Sequence, residues 1–94
     1  MFSDIENYYE HLVFERIRNT LTKEEEKSDG AYLEDVACVA LNHLPPRYAR
    51  HSVDLAFHLT DAEWGKMNKE VVAAVDNAIE FTRRRREQRP AEAE

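Results

Sequence analysis

The chain has 94 residues, a formal net charge of −6, 34% charged and 43% hydrophobic residues. That length predicts one small domain of modest stability, and the apolar share argues against global disorder. The negative balance disfavours nonspecific binding to DNA or to an anionic membrane, and no apolar run approaches the roughly 20 residues that span a bilayer.

The single cysteine, Cys38, excludes an intrachain disulfide and a Cys-rich zinc site. It fits a reducing compartment. The first residues show no basic region followed by an apolar core, so a cytoplasmic location is expected. Two glycines and three prolines favour long helices over a sandwich with many turns. The expected class is all-α, a domain of three to four helices over residues 1–87, followed by a disordered tail at 88–94.

The first helix is expected from residue 3 to about 22. Ser3 and Glu6 have capping-box spacing, and Phe2, Ile5, Tyr9, Leu12, Val13, Ile17 and Leu21 recur at helical spacing. The stretch TKEEEKSDG (22–30) breaks that pattern and reads as an exposed loop or frayed helix end. A second helix is expected over 31–44, capped by Ser28 or Asp29. Its apolar stripe is Leu33, Val36, Ala37, Ala40, Leu41 and Leu44. Pro45 and Pro46 must end it near Leu44, because the residue before a proline is pushed out of helical geometry.

In HSVDLAFHLT, Val53, Leu55, Phe57 and Leu59 alternate, which reads as a short strand or extended arm at 52–59. TDAE (60–63) is a second capping box, with Thr60 and Glu63 as its partners. The last helix then carries Trp64, Met67, Val71, Val75, Ala78 and Ile79 on one face to about residue 82, with Val72 and Phe81 widening the stripe. Arg83 to Arg86 suit the negative end of its dipole and read as a solvated helix end.

The second helix and its exit carry a recognisable pattern. Asp35-Val36, Ala40-Leu41-Asn42, Leu44-Pro45-Pro46 and Tyr48 resemble the signature of the late competence development protein ComFB family. YYEHLVFERI and VVAAVDNAIEFTRR resemble its first and last helices, so the likeness spans roughly residues 4 to 84. The resemblance implies a small, mainly helical, homodimeric bacterial protein without a catalytic role. It also implies a link to competence and to a cyclic dinucleotide messenger, cyclic di-GMP or cyclic di-AMP. Family members with a cysteine cluster have a means of holding zinc. This chain has only Cys38, so no metal carries over.

A cyclic dinucleotide offers two phosphates and two purines. Arginine meets phosphate or a guanine edge with paired N–H donors and stacks through its planar face. Tyrosine stacks on bases. Arg47, Tyr48 and Arg50 offer these groups within four residues, and Pro45 and Pro46 stiffen the backbone before them, which lowers the ordering cost of binding. Asn42, His51 and Asp35 complete the candidate group. Asp35 repels phosphate, so it would orient an arginine or tyrosine, or cap the turn. A two-fold ligand would match a two-fold dimer, one motif to each half.

Plainer roles exist for the same residues. The prolines stop a helix, Asn42 bonds to the turn backbone, and Tyr48 packs with its hydroxyl at the surface. His11, His43, His51 and His58 lack partners at a metal-ligand spacing. No nucleophile–base or paired-carboxylate arrangement points to an enzyme. The competing function is an adaptor that binds a partner protein and no nucleotide. Under the receptor reading, an unspecified downstream protein would respond to the ligand.

Overall fold

A computed structural model describes residues 5–50 and 58–88. The expected cap Ser3, candidate His51, nearly all of the expected strand at 52–59 and the tail beyond Gln88 lie outside the described residues.

The chain is mainly helical, as expected, with one small strand pair among the described residues. Strand β1 is Glu6–Asn7, helix α1 is Tyr8–Thr20, α2 is Glu24–Lys27 and α3 is Gly30–Asn42. Strand β2, Tyr48–Ala49, pairs antiparallel with β1, placing Glu6 opposite Ala49 and Asn7 opposite Tyr48. Helix α4 runs over Asp61–Gln88.

The first helix therefore starts five residues later than expected. Glu6 lies in β1 rather than in a capping box. Asn7 is the cap, and its side-chain oxygen accepts the Tyr9 N–H at 3.2 Å. Tyr9, Val13 and Ile17 recur every four residues along α1 and form its buried stripe. Ile5 is 45% exposed and stays outside the core.

At the start of α3, Asp29 accepts the Tyr32 N–H at 3.1 Å. Tyr32, Val36, Ala37 and Ala40 form its buried face. Tyr32, missed in the sequence stripe, is among the largest fully buried side chains. The stop before Pro45 falls as the prolines require: α3 ends at Asn42 with His43 as its C-cap.

The second capping box forms as expected. Glu63 accepts the Thr60 N–H at 3.0 Å, and Thr60 accepts the Glu63 N–H at 3.1 Å. Met67, Val71, Val75, Ala78 and Ile79 bury the inner face of α4. The helix continues six residues beyond the expected end at 82. Val72 and Phe81 do not widen the buried stripe; they are 37% and 47% exposed.

Helices α1, α3 and α4 pack on one another around one core. Contacts from Tyr9 to Glu70 and Arg16 to Asp76 set α1 parallel to α4. Helix α3 runs the other way, with Tyr32 beside Thr82 and Val39 beside the groove formed near Ala74.

The acidic 22–30 stretch is the main correction. It holds α2, and Glu26 is buried there. A buried carboxylate needs a partner. Arg83 supplies it, donating through Nε at 2.9 Å and Nη2 at 2.7 Å. Three residues on, Arg86 donates to Asp29 at 2.7 Å, with its guanidinium 4.5 Å from the Tyr32 ring centroid. Two acids three apart meet two arginines three apart. Arg83 and Arg86 are therefore not simply a solvated helix end; they clamp α4 to α2 and to the start of α3.

Candidate functional site

The Pro-Pro exit leads into β2 rather than into a free loop. Leu44 is half-buried and packs against the core, while Pro45, Pro46, Arg47 and Tyr48 are exposed. Three backbone-directed bonds fix the turn. The Tyr8 N–H donates to the Arg47 carbonyl at 2.7 Å, the Arg47 N–H donates to Asn7 Oδ1 at 3.0 Å, and the same oxygen caps α1. Asn7 thus ties the start of α1 to the turn. The sequence pattern gave no sign of it, because the tie spans 40 residues.

The strand pair sets which side chains face water. Ala49 is half-buried, whereas the preceding Tyr48 is 66% exposed. Side chains alternate across a strand, so one inward alanine presents the tyrosine outward. Among the described residues Tyr48 is thus turned to solvent and not into the core. Arg47 and Arg50 are also exposed, and among the described residues neither forms an ion pair. The charge of Arg47 reaches its surroundings: it helps lower the carboxyl of Glu63, whose largest cause is the bond from the Thr60 backbone N–H. It also opposes the rise of the Tyr9 hydroxyl, which burial raises above the ordinary tyrosine range, followed by the Glu70 carboxylate.

The other candidates divide between two places. Asn42 is exposed at the end of α3 and lines an open groove of about 590 Å³ between α3 and α4. Val39 and Leu44 form one wall; Ala73, Ala74 and Ala78 lie along the α4 side, and Phe81 closes one end. Glu70 connects this groove with the turn. It lines the groove and accepts the Tyr9 hydroxyl at 3.4 Å, and that hydroxyl senses the Arg47 charge. Asp35 lies seven residues before Asn42, on the same exposed helix face and about 10 Å away along the axis. It is not brought to the turn. His43 bonds to the Val39 carbonyl at 2.9 Å, which gives it a local role at the helix end.

A second cleft, of about 600 Å³, lies between α1 and α4. Its charges are of both signs: Arg16 meets Asp76 at 3.4 Å, and Arg84 pairs with Glu80. It is a poorer anion site than the turn, where two arginines flank an exposed ring.

Chemically, the turn offers a flat aromatic face, two guanidinium groups and a backbone fixed by Asn7. Among the described residues no group of three or more metal-ligating side chains occurs. No described helix is long and apolar enough to cross a membrane. Comparisons with curated proteins and with solved structures return no significant match. The profile of the family described as late competence development protein ComFB matches residues 6–86, from β1 nearly to the end of α4. The chain therefore belongs to the ComFB family.

Proposed function

We propose that this chain is a non-catalytic receptor for a cyclic dinucleotide, cyclic di-GMP or cyclic di-AMP, bound at the turn from Pro45 to Arg50. The observation that carries the reading is the exposure of Tyr48, at 66%, between two exposed arginines on a turn whose backbone is already bonded. A large aromatic ring standing in water loses contact free energy that a stacked base would restore. Arg47 and Arg50 would meet the phosphates or a purine edge, a task that suits guanidinium better than ammonium. Asn42 lies at the groove and would meet the ligand's edge rather than its phosphates.

Binding would act by shifting a pre-existing equilibrium in the turn and its strand pair. Ala49 and Tyr48 connect the turn to β1, and Asn7 connects it to α1, so ligand contacts at Tyr48 reach the first helix directly. A downstream protein would read the changed surface.

Isothermal titration of the full chain with cyclic di-GMP, cyclic di-AMP and a linear dinucleotide tests the reading. Heat with a cyclic ligand, lost in Arg47→Ala while the helical signal is kept, is the expected result. No heat with any of them at tens of micromolar protein sinks the receptor reading and leaves an adaptor that binds protein alone.

A further inference from the structure

We propose that Glu63, acting with Glu6 and Glu70, makes the turn a charge filter that admits phosphodiesters and rejects terminal phosphates. The inference rests on the turn being the nucleotide site and adds what that site excludes.

The first residues of α4 lie beside the turn. The Tyr8 N–H donates to the Arg47 carbonyl at 2.7 Å, and the Tyr8 ring meets the Trp64 ring edge to face, 5.7 Å between centroids. Glu63 precedes Trp64 and is exposed. Its carboxylate is held in place, because Oε1 accepts the Thr60 N–H at 3.0 Å. Among the described residues it forms no ion pair with Arg47. The two groups act on each other all the same. The bond from the Thr60 backbone does most to lower the Glu63 carboxyl, and the Arg47 charge lowers it further. A fixed carboxylate in the field of that cation is also in the field of an anion seated on it.

Two more carboxylates stand nearby. Glu6 lies opposite Ala49, the residue between Tyr48 and Arg50, with its carboxylate 3.2 Å from the His11 ring. Glu70 accepts the Tyr9 hydroxyl at 3.4 Å, and that hydroxyl responds to the Arg47 charge. A cyclic dinucleotide carries one negative charge on each of its two phosphates, which Arg47 and Arg50 can offset. A terminal phosphate adds a further charge at neutral pH, because its second pKa is about 6. No guanidinium of the turn is left for that charge, and it meets the carboxylates instead. Repulsion built against the wrong ligand is a route to specificity.

The fold does not need the negative charge of Glu63. A capping box works with glutamine as well as with glutamate. Glu63→Gln therefore keeps the start of α4 and removes only the charge.

Titration of the full chain at low salt tests the filter. The ligands are cyclic di-GMP, cyclic di-AMP, their linear forms ending in a free phosphate, and those linear forms with the terminal phosphate methylated. The methylated forms carry diesters only, as the cyclic ligands do. The methylated form should bind about tenfold more tightly than the free one, since three carboxylates at roughly 8 Å in water each weaken binding of an added charge about twofold. Glu63→Gln should narrow that gap about twofold, through tighter binding of the free phosphate. Raised salt should narrow it as well. A methylated form that binds no better than the free one, while a cyclic ligand binds, overturns the filter and leaves the receptor reading standing. A gap that Glu63→Gln leaves unchanged, with the helical signal kept, overturns the role of Glu63. Absence of binding by every ligand overturns the receptor reading and the filter together.

Discussion

Two arginine-bearing regions of this small molecule have opposite fates. At the end of α4, Arg83 and Arg86 meet Glu26 and Asp29. At the exit of α3, Arg47 and Arg50 stay exposed, with no ion pair among the described residues. One region lies in the last turns of a helix and the other just after a helix end, and both are rich in cations. What separates them is the chain's own supply of acids. The acidic stretch before α3 folds back onto the first pair and consumes its charge. Prolines and a two-residue strand hold the second pair away from such partners. A cluster of arginines thus keeps its donors for an outside anion only where they are not taken up in ion pairs within the fold.

Arg83→Ala should break the comparison with the largest effect. Glu26 has a side chain only 8% exposed, so removing its partner leaves a carboxylate with little water. Losing one partner of a buried pair costs several kcal/mol; Arg83 is itself 40% exposed, which discounts the figure to about 2–3 kcal/mol. For a domain of this size that is a fall of roughly 10 °C or more in Tm, read by thermal melting. Ligand affinity at the turn should be unchanged.

Acid sharpens the same point. Arg83, through its hydrogen bonds, holds the Glu26 carboxyl below its ordinary range, against the opposing effect of burial. A carboxyl lowered in the folded state stabilises above its unfolded value, about 4.3, and that contribution is lost as pH falls through the lowered folded value. Melting temperature should therefore drop below about pH 4. The drop should be smaller in Glu26→Gln, which has no proton to gain there. Equal acid sensitivity in both chains would show that other carboxyls dominate.

At the turn the signs reverse. Tyr48→Ala should leave stability within about 0.5 kcal/mol, as for an exposed side chain. It should weaken cyclic dinucleotide binding by about 1–3 kcal/mol, or roughly 5-fold to 150-fold, by titration. A variant that melts early instead would mean that Tyr48 packs against a surface and is not a stacking face.

The two regions were also unequally legible in the sequence. Helix periods, the Thr60–Glu63 box, the Asp29 cap and the proline stop are local, and the structure bears them out. The Asp-Val to Tyr48 pattern named the family, because it packs specific residues into a short stretch. The clamp was not legible, since Glu26 and Arg83 are 57 residues apart and each sits in a charge run that looks solvated. Asn7 was missed for the same reason: Ser3 and Glu6 offered a better capping pattern than the residue that caps α1. Val72 and Phe81 fit a helical stripe on apolarity alone. Only the positions of α1 and α3 decide which edge of that stripe is covered.

Asn7→Ala should produce a smaller effect on stability than Arg83→Ala and the most informative one, because Asn7 belongs to the frame of the turn and not to its cations. One oxygen accepts the Tyr9 N–H and the Arg47 N–H. Loss of an N-cap costs about 1 kcal/mol, so melting should fall by a few degrees, well short of Arg83→Ala. Affinity at the turn should fall as well, by less than in Tyr48→Ala, because the loosened backbone must be ordered again on binding. Asn7→Asp keeps the acceptor and places negative charge at the start of α1, where the helix dipole favours it. It should restore the cap and the Arg47 bond together. If Asn7→Asp recovers stability but not affinity, the added charge offsets the cations of the turn, and ligand binding there is governed by electrostatics more than by a fixed backbone. If it recovers both, the rigidity supplied by Asn7 sets the affinity.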